Sequence, residues 1–255
     1  MDVLSLFRLD GEVAVVTGAG TGIGRGIAVG LASAGADVVV AGRRLDKIEA
    51  VAAEIRAAGR RSLAVATDVM FDEEVQNLID RTVAEFGKLD IWVNNAGGLQ
   101  GERPVALRQH SEESFEQIVG LNFTATWRCI RLAQAAITPG GRFINVSSVA
   151  ADRNGSPTNG PYGAAKAALN HLSKTYALEL ARRKIRVNVL SPGPVDTEDS
   201  RESLHDGLAG LEAMAKATTL GRLGTEEDLA AAAVYLASRA SDWVTGQVLR
   251  VSGGI

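Results

Sequence analysis

What this chain of 255 residues lacks narrows its function before any motif is read. It has a single cysteine, Cys129, so no disulfide can form within it, and a reducing compartment suits it. Cys129 falls in the apolar run TATWRCIRLAQAAI, where a small buried residue is expected rather than a nucleophile. An excess of one charge sign is missing too. Lys and Arg number 27 against 30 Asp and Glu, and the net charge of −3 points neither to nucleic acid nor to a membrane surface. No segment reaches the roughly 18 uncharged apolar residues of a membrane span. The opening MDVLSLFRLDGE turns acidic at once and does not read as a signal peptide, so the cytoplasm is the expected location. The histidines, His110, His171 and His205, stand apart without acids at ligand spacing; they read as surface or packing residues, and no metal is expected. The GxSxG elbow of a serine hydrolase is absent, as are linkers, repeats and low-complexity tracts.

What is present is an alternation. Short β-branched runs at 12–18, 36–42, 62–68, 89–97, 141–148, 185–193 and 246–254 read as strands apolar on both faces. Ala-rich helical stretches separate them, such as LDKIEAVAAEIRAAG and DEEVQNLIDRTVAEFG, most of them closing on Gly. This pattern predicts an α/β chain: one doubly wound Rossmann-type domain over 1–255, with a parallel sheet of about seven strands and helices on both faces. The longest stretch without a strand, 194–245, contains a segment at about 194–220 expected to be a mobile lid over the substrate. Ligands of such sheets bind beyond the carboxyl ends of the strands, and every unusual motif here sits at such an end.

TGAGTGIG, residues 17–24, joins the first strand to the first helix. Glycines at 18, 22 and 24 allow a sharp turn and a close approach to a pyrophosphate, whose charge is favoured at a helix N-terminus. Gly18, Gly20, Thr21, Gly22, Ile23 and Gly24 are therefore candidate cofactor contacts. The second strand ends in Gly42 followed by Arg43 and Arg44, with no carboxylate before Asp46. Guanidinium groups suit the 2′-phosphate of NADP, whereas NAD calls for an acid at this place. The plainer reading, a basic helix start, runs against the helix dipole. Asp68, with Val69 beside it, either accepts a hydrogen bond from the adenine amino group or caps the turn that follows; both stay open.

Tyr162 and Lys166 lie one helical turn apart in GPYGAAKAALNHL, either as a solvated surface pair or as a working one. A unit positive charge about 4 Å from the phenol, at an effective dielectric near 20, favours phenolate by roughly 4 kcal/mol. That is about three pKa units at most, and it would bring the tyrosine near the operating pH of a general acid. Ser148 ends the fifth strand, where its hydroxyl can donate to a substrate oxygen, while Ser147 points to the opposite face.

T-G-x-x-x-G-x-G at 17–24, N-N-A-G at 94–97, Asn122, Ser148, Y-x-x-x-K at 162–166 and SPGPVDT at 191–197 together resemble a short-chain dehydrogenase/reductase over essentially the whole chain. The resemblance implies a catalytic tetrad of Asn122, Ser148, Tyr162 and Lys166, with Asn122 interrupting a helix and holding a water that reloads Tyr162. It also implies cofactor contacts from Asn95, with Ala96 and Gly97 as neighbours, from Lys166 to the nicotinamide ribose, and from the backbone at Val195 and Thr197 after Pro192 and Gly193. Asn94 and Asn95 are expected chiefly to tie the fourth strand to its neighbours. Ser148 lies 14 residues before Tyr162, one more than the commonest family spacing, and the DRNGSPTNG loop absorbs the extra residue. The family pattern further implies transfer of the pro-S hydride between NADP(H) and a carbonyl or secondary alcohol, and a homotetramer built on helices at about 112–136 and 160–182.

The substrate is less legible. Segments 98–109, 150–160 and 194–220 should shape its pocket, and parts of the chain are similar to hydroxysteroid dehydrogenases, 3-oxoacyl thioester reductases and enoyl thioester reductases of the same superfamily. Two rivals of other kinds are a sensor that binds NADPH without turnover, which would need no proton relay, and an epimerase or dehydratase on the same tetrad. The relatives of that last kind carry a longer C-terminal substrate domain.

Overall fold

The computed structural model describes residues 2–99, 105–152, 158–203 and 207–255. Parts of the 98–109 and 150–160 loops, and His205, lie outside the described residues. The strands are β1 (Val13–Thr17), β2 (Asp37–Gly42), β3 (Ser62–Ala66), β4 (Leu89–Asn94), β5 (Ile137–Val146), β6 (Arg186–Pro192) and β7 (Val248–Val251). The helices are α1 (Gly22–Ser33), α2 (Leu45–Ala57), α3 (Asp72–Phe86), α4 (Glu112–Val119), α5 (Ala125–Ala133), α6 (Gly160–Glu179), α7 (Glu198–Ser203), α8 (Gly207–Ala217) and α9 (Glu226–Ala237). The sheet order is β3-β2-β1-β4-β5-β6-β7, and every neighbouring pair is parallel.

Side-chain alternation decides which helices each strand meets. Ala14 and Val16, Val38 and Val40, and Ile91 and Val93 face α1, α2 and α9, where Ile27, Leu31, Ile48, Ile55 and Leu229 close a buried cluster. Val15, Val39 and Trp92 face the other way and meet Leu78 and Ile79 of α3, Cys129 and Ile130 of α5 and Tyr176 of α6. Helix α3 shows how the sequence writes such an element. Asp72, Glu73 and Glu74 stand in its first turn, Val75, Leu78, Ile79 and Thr82 form the buried stripe, and Gly87 ends it at φ 79° with its N–H on the Val83 carbonyl. Truncating Leu78 to Ala would cost roughly 2–5 kcal/mol.

Several strand ends differ from the sequence reading, those of β5 and β7 among them. β5 starts at Ile137 rather than 141, because Ile137 pairs with Leu89 ahead of a register shift between Leu89 and Ile91. β7 is confined to four residues, since Gly246, Gly253 and Gly254 take φ of 69°, 64° and 88° and cannot continue a pleat. The chain leaves β1 and β4 in opposite directions across the sheet, so their carboxyl ends bound the crevice in which such folds bind ligands.

The 194–220 stretch carries α7 and α8, and its stem is tied at both ends. Asp196 N–H donates to the Gly224 carbonyl and Gly224 N–H to the Pro194 carbonyl, both at 3.0 Å, while Leu220 N–H reaches the Gly253 carbonyl at 3.0 Å. No described helix is long and apolar enough to cross a membrane.

Candidate active site

The crevice begins at a turn held from below. Thr17 Oγ1 donates to the Val93 carbonyl at 3.2 Å and accepts the Asn95 and Ala96 N–H groups at 3.1 and 3.2 Å. Asn95 Nδ2 donates to the Thr17 and Gly18 carbonyls, each at 3.0 Å, so both its hydrogens are used. Gly18 sits at φ 63°, and a Cβ there would stand 2.8 Å from Ala96 Cα. A Cβ on Gly24 would lie 2.2 Å from the Gly18 carbonyl oxygen, so the turn and the helix meet at a separation only glycine allows. Thr21, the N-cap of α1, makes no side-chain cap bond, which leaves the helix's first N–H groups to bind an anion. The glycine cradle and the open helix terminus fit a pyrophosphate.

At the end of β2 the crevice wall is basic. Arg43, Arg44 and Lys47 line it, and Arg44 Nη2 reaches Thr21 Oγ1 at 3.4 Å. Lys47, in the first turn of α2, is not among the residues the sequence points to. Of the two readings left open for Asp68, the structure shows the turn cap. Its Oδ1 caps the turn by accepting Met70 N–H at 3.0 Å, and it lines the crevice beside the buried Val69.

The far end holds the Ser–Tyr–Lys group. β5 stops at Val146, so strand alternation does not sort the two serines that follow it, and both line the crevice. Ser147 Oγ donates to the Lys166 carbonyl at 3.3 Å, whereas Ser148 Oγ, capping the short turn Val149–Ala151, accepts Ala150 N–H at 3.1 Å and hydrogen-bonds the Tyr162 phenol. Tyr162 and Lys166 leave the first turns of α6, which opens with Pro161 at a permitted helical start. Lys166 is buried, donates from Nζ to the Val146 carbonyl at 2.9 Å, and stands over the Tyr162 ring, 5.7 Å from its centroid.

The expected downward shift of the phenol is not what this arrangement produces. Burial raises the Tyr162 pKa above its ordinary 10.0, and the bond with Ser148 opposes it only in part. Burial also pulls Lys166 from 10.5 to about 8. The expectation counted only the attraction between the two groups; here Lys166 is buried and Tyr162 half-buried in the crevice wall, and desolvation penalises the charged form of each.

Asn122 does interrupt a helix. Gly120–Thr124 is a π turn between α4 and α5, a local irregularity that frees backbone groups from the regular ladder. Its side chain is bonded to backbone: Nδ2 donates to the Gly98 and Ile118 carbonyls at 2.8 and 2.9 Å, and Oδ1 accepts Gly98 N–H at 2.9 Å. It welds the loop after β4 to the helix break beside Lys166. Asn94 is likewise a tie, donating to Asn145 Oδ1 at 2.8 Å.

The crevice wall thus includes Gly18, Gly20, Thr21, Gly22, Ile23, Gly24, Arg43, Arg44, Asp68, Val69, Asn95, Ala96, Gly97, Ser148, Tyr162, Lys166, Pro192, Gly193 and Thr197. Asn122 lies behind that wall, and Val195 is buried against Gly224 by a bridge between their backbones. Gly98, from the 98–109 segment expected at the substrate pocket, lines it as well, as do Thr67, Leu121 and Val146, which no local sequence pattern marked. His110 pairs with Ser114 at 3.3 Å, His171 is exposed, and among the described residues no group of His, Cys, Asp or Glu is placed to hold a metal.

The family model described as enoyl-(acyl carrier protein) reductase matches residues 18–255. The chain belongs to the short-chain dehydrogenase/reductase family. Within that family it is 42% identical over 258 residues to an uncharacterized oxidoreductase, MT0954, of Mycobacterium tuberculosis, covering 99% of this chain and 95% of the relative. A crystal structure of a short-chain dehydrogenase from Burkholderia cenocepacia J2315 in complex with NADP superposes with a TM-score of 0.89 at 32% identity, covering 97% of this chain and 98% of that one. A 7α-hydroxysteroid dehydrogenase complexed with NADH and 7-oxoglycochenodeoxycholic acid superposes at 0.92 with 34% identity, over 100% and 98% of the two chains. The family uses nicotinamide cofactors, and these two solved relatives hold different ones.

Proposed function

We propose that this short-chain dehydrogenase/reductase transfers hydride reversibly between NADP(H) and a carbonyl or secondary alcohol, with Tyr162 as general acid and base. The observation that carries the reading is the Ser148–Tyr162–Lys166 group at the carboxyl end of β5, in one crevice with the glycine turn. The reduced nicotinamide supplies the hydride, and the pro-S side is the face implied by the family. Ser148 Oγ donates to the substrate oxygen as negative charge builds on it. Tyr162 Oη delivers the proton; burial keeps it protonated through the neutral range, which suits the reduction direction. The Lys166 ammonium, 5.7 Å from the Tyr162 ring centroid, favours the phenolate left behind and would hold the ribose hydroxyls. Asn122 positions the loop at Gly98 against this group.

Arg43 and Arg44, with no acid at the end of β2, support NADP over NAD. The α7 and α8 stretch over the strand ends is proposed as the substrate lid, and a homotetramer is supported by apolar side chains exposed on the helices concerned: Phe115, Trp127 and Leu178. The wording of the matching family model favours one second reading, reduction of an enoyl thioester.

The test follows NADPH oxidation against small ketones, sugars, 3-oxoacyl thioesters, enoyl thioesters and oxosteroids, with NADH in parallel. Turnover of a carbonyl class with NADPH preferred is the expected result. Turnover confined to enoyl thioesters would replace the first reading by the second, and a preference for NADH would remove the cofactor assignment. Silence across the panel with tight NADPH binding would leave a sensor.

A further inference from the structure

Lys47 crosses the outside of the glycine turn: its Cβ lies 3.0 Å from where a Cβ on Gly20 would stand. It lines the dinucleotide crevice on one side and, on the other, an adjoining charged cleft with Arg25, Glu54, Glu198 and Glu226. In that cleft the pairs are unequal. Arg25 bonds Glu226 at 2.6 Å and grips both oxygens of Glu54 at 2.8 and 2.9 Å. Lys47 Nζ has only Glu198 Oε1, at 3.7 Å, beyond hydrogen-bond reach and held by charge alone. Both side chains are substantially exposed, at 40% and 51%, so the attraction is weak and easily outbid. Arg43 has no ion pair among the described residues and Arg44 reaches only a hydroxyl, so of the three cations at this wall Lys47 is the one with a carboxylate competing for it. Glu198 opens α7, directly after Thr197, whose methyl carbon lies 3.1 Å from where a Cβ on Gly22 would stand.

We propose that Lys47 is a third cation for the cofactor 2′-phosphate and that Glu198 holds it in reserve, so that discrimination between NADP and NAD is set partly by a carboxylate that the cofactor never touches. A phosphate carrying nearly two negative charges draws Lys47 off Glu198; a cofactor with a bare 2′-hydroxyl leaves the pair closed. This rests on the NADP reading above.

The test titrates the full chain calorimetrically with adenosine 2′,5′-bisphosphate and with 5′-AMP, which differ only in the 2′-phosphate. Glu198→Gln should tighten the bisphosphate by about two- to fivefold, the range of an exposed ion pair, and leave 5′-AMP unchanged. Lys47→Gln should weaken the bisphosphate by about tenfold and again spare 5′-AMP. On the Lys47→Gln background, Glu198→Gln should give no gain. A gain that persists there would mean direct repulsion between Glu198 and the phosphate and would overturn the proposal, as would equal effects on both nucleotides or none. If the wild-type chain binds the two nucleotides equally, the NADP reading itself fails, and the proposal falls with it.

Discussion

The two ends of the crevice solve opposite problems. At the proposed adenosine end Arg43 and Arg44 are exposed, Lys47 has a single distant partner, and the charges stand in water. At the proposed catalytic end Lys166 is buried and bonded to the Val146 carbonyl, Ser148 holds the Tyr162 phenol, and the Asn122 amide is bonded to backbone. Exposed charge gives affinity that salt can screen; burial gives altered proton affinity that salt barely reaches. On the proposed function, one crevice pairs a soft reader of the cofactor with a stiff site for the chemistry.

The largest expected effect falls on the stiff end. Tyr162→Phe removes the proton donor and should lower kcat by about 10²–10⁴, while NADPH affinity, measured by fluorescence titration, stays at the wild-type value.

Next is the cost of burying Lys166. Its pKa of about 8 in the fold compares with 10.5 for the free side chain, so between those values the unfolded chain binds more protons than the native one. Stability must then rise with pH across that window, and the burden of the buried ammonium is fully present below about 8. Denaturant melts of the wild type and Lys166→Met, taken from pH 7 to above 10, should show the wild type gaining roughly 3 kcal/mol relative to the variant. A constant gap would mean that Lys166 is not desolvated as the structure has it.

A smaller loss is expected at the joint of the turn. Gly24→Ala places a carbon against the Gly18 carbonyl at 2.2 Å, which should cost about 1–3 kcal/mol of stability and weaken every dinucleotide alike. The smallest belongs to the soft end. Arg44→Gln should weaken NADPH by about tenfold at low salt, leave NADH alone, and lose most of that difference as ionic strength rises. Effects that are the same for both cofactors would erase the contrast between the ends.

The same contrast governs what could be read from the sequence. The strands, the glycine turn and the Tyr-Lys spacing were legible because each is local: VAVVT is buried on both faces, and one helical turn fixes two side chains on one side. The helix break at Asn122 was legible through the family pattern. Lys47 escaped because its value lies in standing across Gly20 from another helix, a relation no window of sequence contains. The direction of the Tyr162 shift escaped for a related reason. Coulomb's law acts between two named residues, but desolvation is the sum of everything packed around them, and here it wins.

If binding and chemistry are carried by different ends of the crevice, they come apart in one comparison: NADPH dissociation constants and turnover on the best substrate, measured side by side for the wild type and Tyr162→Phe. The expected result is an unchanged constant with turnover down by about a thousandfold. Turnover kept within a fewfold of the wild type, or a loss of binding that matches the loss of turnover, would contradict it.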